Sequence, residues 1–262
     1  RRRNRKETED KSFLGKSKSV VYFSENFERV NVSYKKFHRY RYYKNEDSLF
    51  NRYARYYAKE KDFVIHKKTI GVDRGFPYCE AIFVDTNSNR SIKKKYLLDR
   101  GTLYVLSANV DTISGESKFI SQFFSTFTPN DTAAQLLVTQ SKSDLFFNAL
   151  KSGDSLETER AMKSVKTTLM FEDKDAENIM NLLNSYAFQT KHQEAKVQLI
   201  SDLGSLKHPN IIPFLVDLYD KAEDTAMYQI AILKSLSKQQ TKTASKEMVR
   251  LIEKDIPLSS SS

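Results

Sequence analysis

Glycine, cysteine and long apolar runs are all scarce in this chain of 262 residues, and each scarcity removes a class of function. Seven glycines leave little backbone for cradling phosphate, and there is no G-x-G-x-x-G turn, no Walker lysine motif and no G-x-S-x-G nucleophile elbow. The single cysteine, Cys79, excludes an internal disulfide framework and a cysteine-rich zinc site. It alternates with Ala81 and Phe83, which is the place of a small core residue rather than of a nucleophile. No apolar run approaches the roughly 18 residues of a membrane-spanning helix. The opening "RRRNRKETEDK" leads into no apolar segment of the signal-peptide kind. The chain starts without methionine and stops in "DIPLSSSS", so a piece of a longer protein is expected, and the compartment stays open between cytoplasm and periplasm.

Histidine is scarce too. His38, His66, His192 and His208 are scattered, and no two stand at i, i+3 or i+4 in a metal-ligand spacing. "KHQEAK" places His192 on a helix surface by its neighbours. Neither a metal nor a cofactor is expected, and the chain reads as non-enzymatic.

Positive charge and aromatic rings are plentiful. The formal net charge is +10, and it is uneven: residues 1 to 100 carry about +13 and the remainder about −3. Residues 1–19 read as a basic tail or linker. The stretch "FHRYRYYKNEDSLFNRYARYYAK" (37–59) interleaves tyrosines with arginines and lysines, as a nucleic-acid surface would. Its periodicity also fits inward-facing aromatics. "KFHRYRYYK" alternates like a strand, and "NEDSLFNRYARYYAK" reads as a helix capped by Asn45. Leu49, Phe50, Tyr53, Ala54 and Tyr57 then form one apolar stripe, with Arg52, Arg55 and Lys59 opposite. The structural role for the aromatics is the expectation.

Residues 20–130 carry strand and turn signals. "FVIHKKTI" (63–70), "YCEAIFV" (78–84), "IKKKYLL" (92–98) and "TLYVLSA" (102–108) have strand length and composition. "DTNSN" (85–89) and "DRG" (99–101) supply turns, with Gly101 suited to a positive φ, and an antiparallel meander follows. "SGESKFISQFFSTFTP" reads as a packing helix with Ser114 as cap and Phe119, Ile120, Phe123, Phe124 and Phe127 on one face, ending at Pro129. From residue 131 to 262 the period turns to 3.6, in seven helical stretches joined by short turns. Their faces include Ala195, Leu199, Leu203 and Leu206, and Met248, Val249 and Ile252; Pro209 marks a helix start. Paired, the helices recur every 30 to 35 residues or so, and "LGSL" (203–206) answers "LKSL" (233–236). The fold class is thus α+β: an antiparallel sheet with flanking helices, then an all-α HEAT-like solenoid that is expected to be truncated.

The run "GFPYCEAIFVDTNSNRSIKKKYLLDRGTLYVLSANVDTISGESKFISQFFSTFTP" (75–129) resembles the end of a PsbP-like α/β domain. With "DSLETERAMKSV" and "LISDLGSLKHPNIIPFLVDLY" as repeats behind it, the domain order is similar to the carboxy-terminal region of large bacterial TraB/GumN-family proteins. That resemblance implies that the family's catalytic domain lies outside this chain. Two surfaces are candidates for binding. One is a basic set, Arg39, Arg41, Arg52, Arg55, Lys67, Lys68, Lys93, Lys94 and Lys95, suited to a nucleic acid or an acidic membrane surface if folding gathers it. The other is the helical array, suited to a protein partner in a scaffolding role.

Overall fold

The computed structural model describes residues 3–4, 16–111, 113–130, 137–222 and 225–257. It is α+β and divides into two compact units, Arg1–Gln140 and Ser141–Ser262.

The first unit is one antiparallel sheet with two helices. A two-residue strand β1 (Arg3–Asn4) precedes β2 (Lys16–Phe23), β3 (Arg29–Lys36), helix α1 (Glu46–Lys61), β4 (Val64–Asp73), β5 (Phe76–Val84), β6 (Arg90–Asp99), β7 (Thr102–Asp111) and helix α2 (Lys118–Thr126). The order across the sheet is β1-β2-β3-β7-β6-β5-β4. The meander β4 to β7 follows the sequence expectation, with turns closed by local chemistry. Asp85, for instance, accepts from the Asn87 amide at 2.9 Å and the Ser88 hydroxyl at 2.8 Å. Three local readings are corrected. Gly101 does not take the positive φ of its turn; Arg100 does, at 49°. The cap of α2 is Ser117, whose Oγ accepts from the Ile120 amide at 3.2 Å, not Ser114. "KFHRYRYYK" is not a strand: β3 ends at Lys36 and the chain turns, with the Arg41 amide donating to the His38 carbonyl at 2.8 Å.

The hairpin β2–β3 had no clear signal in the sequence. "KSKSVVYF" and "RVNVSYKK" are mostly polar, and what makes them strands is pairing of β3 with β7 across a register from Val30↔Ala108 to Lys36↔Thr102. β2 starts at Lys16, inside the stretch read as a tail.

The two helices lie on opposite faces and on different parts of the sheet. α1 buries Leu49, Phe50 and Ala54 against Cys79, Ala81, Phe83, Tyr96, Leu98 and Leu103. α2 buries Ile120 and Phe124 on the other face, against Val30, Leu97, Leu106 and Ala108. Each large side chain so buried contributes about 1.5 to 3 kcal/mol. Beyond α2 the chain returns to the sheet. The Val138 amide donates to the Arg100 carbonyl at 3.3 Å, its carbonyl accepts from the Tyr43 amide at 2.8 Å, and its side chain enters the core with Tyr43 and Leu103, which carries the first unit to Gln140.

The second unit contains α3 (Ser143–Lys151), α4 (Ser155–Val165), α5 (Ala176–Ser185), α6 (Gln193–Leu203), α7 (Ile211–Asp220), α8 (Ala226–Lys238) and α9 (Lys242–Lys254). Besides packing on sequence neighbours, helices meet at every second place: α4 with α6 and α6 with α8, α5 with α7 and α7 with α9. "LGSL" and "LKSL" meet where α6 crosses α8. A β-carbon on Gly204 would stand 2.6 Å from Ser235 Cα, so only glycine admits this approach. The Ser235 hydroxyl lies within 2.7 Å of the Ile200 carbonyl, and the Gln239 side-chain amide lies 2.9 to 3.2 Å from the carbonyls of Leu203, Gly204 and Leu206. Pro209 sits in the turn before α7 and Pro213 in its first turn, where no amide is needed. On α9 the buried residues are Ala244 and Leu251; Val249, placed on the apolar face by the sequence reading, is exposed.

Candidate functional site

Strand alternation decides where the five strand lysines of the basic set go, because neighbours along a strand point to opposite faces. Lys93 and Lys95 of β6 share the face that carries α2. Lys93 Nζ lies 3.1 Å from Glu80 and 2.8 Å from Glu116. Lys95 Nζ donates to Asp73 at 2.7 Å and to the Phe124 carbonyl at 3.1 Å. The bond from Lys95 holds the Asp73 carboxyl below its ordinary range, with help from Arg74. Both lysines line a cleft of about 390 Å³ together with Lys67, Thr69, Glu80 and Glu116. The cleft is close to neutral, because each inward ammonium faces a carboxylate.

Lys94 points to the other face, beneath α1. Its Nζ stands 3.4 Å from the centre of the Tyr57 ring. Burial lowers this ammonium to about 8, while the ring face favours its charged form. Lys68 of β4 reaches the same helix and donates to the Asn51 side chain. Arg39 and Arg41 lie in the turn after β3, with guanidinium carbons 5.5 Å from the Tyr40 ring and 5.9 Å from the Tyr43 ring.

Arg52 and Arg55 are different. They stand exposed on the outer face of α1, as does Lys59 two turns on from Arg52, and among the described residues none of the three has a carboxylate within 4 Å. Asn51, to which Lys68 bonds, is one turn from Arg55. The structure therefore gathers Arg52, Arg55, Lys59 and Lys68 about α1 and separates them from Lys93, Lys95 and Lys67.

The tyrosines of the 37–59 stretch divide as well. Tyr40 and Tyr43 are buried. Tyr53 packs on Phe37 and Tyr96, and Tyr57 stacks edge-on against Phe83 at 4.9 Å. Burial, reinforced by Tyr43, raises the Tyr53 hydroxyl well above its ordinary value. Tyr42 is half-buried, and Tyr56 alone among these six is turned outward, 68% exposed, between Arg52 and Lys59. The sequence stripe predicted the inward rings and gave Tyr56 no role.

Cys79 is fully buried, and desolvation pushes its thiol up to about 11. His192 is corrected: it is 5% exposed, not on a surface, and its Nε2 lies 3.1 Å from Glu159. Glu159 also meets Lys191 at 2.8 Å and Lys163 at 3.0 Å, and these bonds, Lys191 first, hold its carboxyl down to about 2. The sequence hid this cluster because Glu159 and His192 are 33 residues apart. Among the described residues no group of three or more His, Cys, Asp or Glu is placed to hold a metal ion. No helix among them is long and apolar enough to cross a membrane.

No protein-family model and no curated protein matches the chain. Two solved structures resemble parts of it. One is a protein of unknown function, PA94, from Pseudomonas aeruginosa, with 11% identity, a TM-score of 0.33, and coverage of 47% of this chain and 89% of that one. The other is a protein from Bacteroides thetaiotaomicron, with 12% identity, a TM-score of 0.30, and coverage of 77% and 70%. At these scores neither likeness carries an argument about function.

Proposed function

We propose that the chain is a non-catalytic interaction region of a larger bacterial protein, a PsbP-like sheet domain followed by HEAT-like helical repeats, with the repeats receiving a protein partner. The observation that supports the repeats is the spacing of most polar ties between helices, Lys166 to Glu194 at 28 residues and Gln229 to Asp255 at 26 being shorter. His192 to Glu159, the Lys207 amide to Asp173, Ser235 to the Ile200 carbonyl, Lys254 to Asp220, Tyr219 to the Asp255 carbonyl and Lys238 to Ser201 span 33 to 37 residues each. A tie that recurs at one repeat length is what stacking of successive units produces. The TraB/GumN-like order of domains fits the same reading and leaves catalysis to a region outside this chain.

A photo-crosslinking amino acid at Glu194 of α6 or Lys234 of α8 tests it. Each should give one discrete protein adduct in bacterial cells, and the same group at Lys67 of β4 should not. Equal, diffuse adducts at all three positions would remove the proposal.

A second reading, in which the sheet unit binds an anionic polymer, is favoured by Arg52, Arg55 and Lys59, exposed cations with no carboxylate within 4 Å among the described residues. Binding of the full chain to heparin that weakens steeply between 50 and 200 mM salt is the expected result; salt-independent retention or none would discard it.

A further inference from the structure

We propose that the outer face of α1 holds single-stranded nucleic acid, with Arg52, Arg55 and Lys59 on successive phosphates, Lys68 beside them, and Tyr56 stacked on a base. The inference rests on the second reading above and names its ligand. Arg52, Arg55, Tyr56 and Lys59 fall on one side of the helix at i, i+3, i+4 and i+7, where neighbouring β-carbons are about 5 to 6 Å apart. All four are exposed, and the three cations have no carboxylate within 4 Å among the described residues. Lys93 and Lys95 of the same basic set are, by contrast, neutralised by Glu80, Glu116 and Asp73.

The aromatic ring decides between polyanions. Tyr53 and Tyr57, on either side of Tyr56 in the sequence, are packed on the sheet, whereas Tyr56 is 68% exposed with a cation one turn away in each direction. A base of a single strand has a free π-face to place on such a ring, and alternating cations and aromatics are how sequence-tolerant single-strand surfaces are built. A duplex keeps its bases stacked and offers the ring nothing. An acidic bilayer would draw on the same cations by charge alone, since the apolar face of α1, with Leu49, Phe50 and Ala54, is buried on the sheet, and it would leave the Tyr56 ring with no base to stack on.

The full chain should be titrated with fluorescent 12-nucleotide oligo-dT, a 12-base-pair duplex and vesicles containing one third anionic lipid, at 50 and 200 mM salt. Three to four phosphate contacts on a single strand predict a loss of about 20- to 50-fold in affinity between the two salts. Tyr56→Ala should weaken oligo-dT binding by about 5-fold or more at unchanged salt dependence, and Arg52→Gln with Arg55→Gln should flatten that dependence. Both variants replace exposed side chains, and an unchanged melting temperature would show that the fold is kept. Equal affinity for duplex and single strand with no effect of Tyr56→Ala would overturn this inference and leave the second reading standing. Binding to vesicles alone would overturn it as well, and binding to no polyanion would remove both.

Discussion

In the sheet unit the charged ties join elements by unrelated routes. Lys95 of β6 reaches Asp73 of β4 and the last turn of α2, and Lys93 reaches Glu80 of β5 and Glu116 before α2. Arg74, in the turn after β4, donates to the carbonyls of Ser125 and Thr126 and the Thr128 hydroxyl, closing the end of α2. In the helical unit many ties join helices 33 to 37 residues apart in the sequence, and Gly204 permits a close backbone approach to Ser235. A sheet with a helix on each face needs each element fixed against several others, whereas a stacked array of the kind proposed would need one contact copied along its length. Disturbances should therefore spread through the first unit and stay local in the second.

The largest test of that difference is Gly204→Ala. The added methyl meets backbone atoms of Ser235 at 2.6 and 2.8 Å, which cannot swing aside as a side chain could. A loss of about 3 kcal/mol is expected, read by urea unfolding of helical circular dichroism. Cys79 makes the other half of the experiment possible, because its buried thiol is the only one in the chain and reports opening of the sheet unit alone. Its labelling by a thiol reagent should be unchanged in Gly204→Ala. Faster labelling would show that the helical unit does not contain the damage.

Lys95→Met should cost about 2 kcal/mol, since it strips a partner from Asp73 and leaves the buried Phe124 carbonyl unpaired. Here Cys79 labelling should accelerate while the 33-to-37-residue ties of the helical unit are untouched. An unchanged labelling rate would contradict the view that the inward lysines act as pins.

Asp202, at the end of α6, separates the units by pH. Burial raises its carboxyl from an ordinary value of 3.8 to about 6, against the lowering effects of Gln198 and Lys238. A carboxyl raised on folding destabilises the fold when ionised, so this group weakens the helical unit as pH rises from about 4 through 6. Asp202→Asn should remove that slope and add about 1 kcal/mol at pH 7. Glu159 works in the opposite sense. Its depressed carboxyl supports the fold above its ordinary 4.5, and that support is lost as pH falls toward 2. Thermal melts from pH 2 to 8 should therefore place Asp202→Asn above wild type and Glu159→Gln below it at pH 7, the first gap closing as pH falls from about 6 to 4 and the second as it falls from about 4.5 toward 2. The smallest effect is expected at a turn: Arg100→Gly relieves a left-handed residue and should stabilise the sheet unit by about 0.5 kcal/mol in urea unfolding.

Much of the fold was legible because it depends on local pattern. Asn45 caps α1 as read, with Ser48 as donor at 2.8 Å; the strands β4 to β7 and the seven helical stretches of the second half follow from alternation and from a 3.6 period. The β2–β3 hairpin was not, because Lys18, Ser19, Ser33 and Lys35 give no strand signal of their own: β3 is ordered beside β7 and β2 in turn beside β3. The basic set was legible as residues and not as a site: Lys93, Lys94 and Lys95 are three consecutive letters, and the pleat sends the middle one to the opposite face.

From the letters alone came the charge excess, the paucity of glycine, cysteine and histidine, the Asn45 cap and most of the periods, because these depend on residues within a turn or two of one another. Which cations meet a carboxylate, that Tyr56 faces water while Tyr53 and Tyr57 do not, and that Glu159 meets His192 were settled only in three dimensions. Neutralising a charge or shielding a ring requires atoms from distant parts of the chain, and only the assembled sheet and helices bring them within reach.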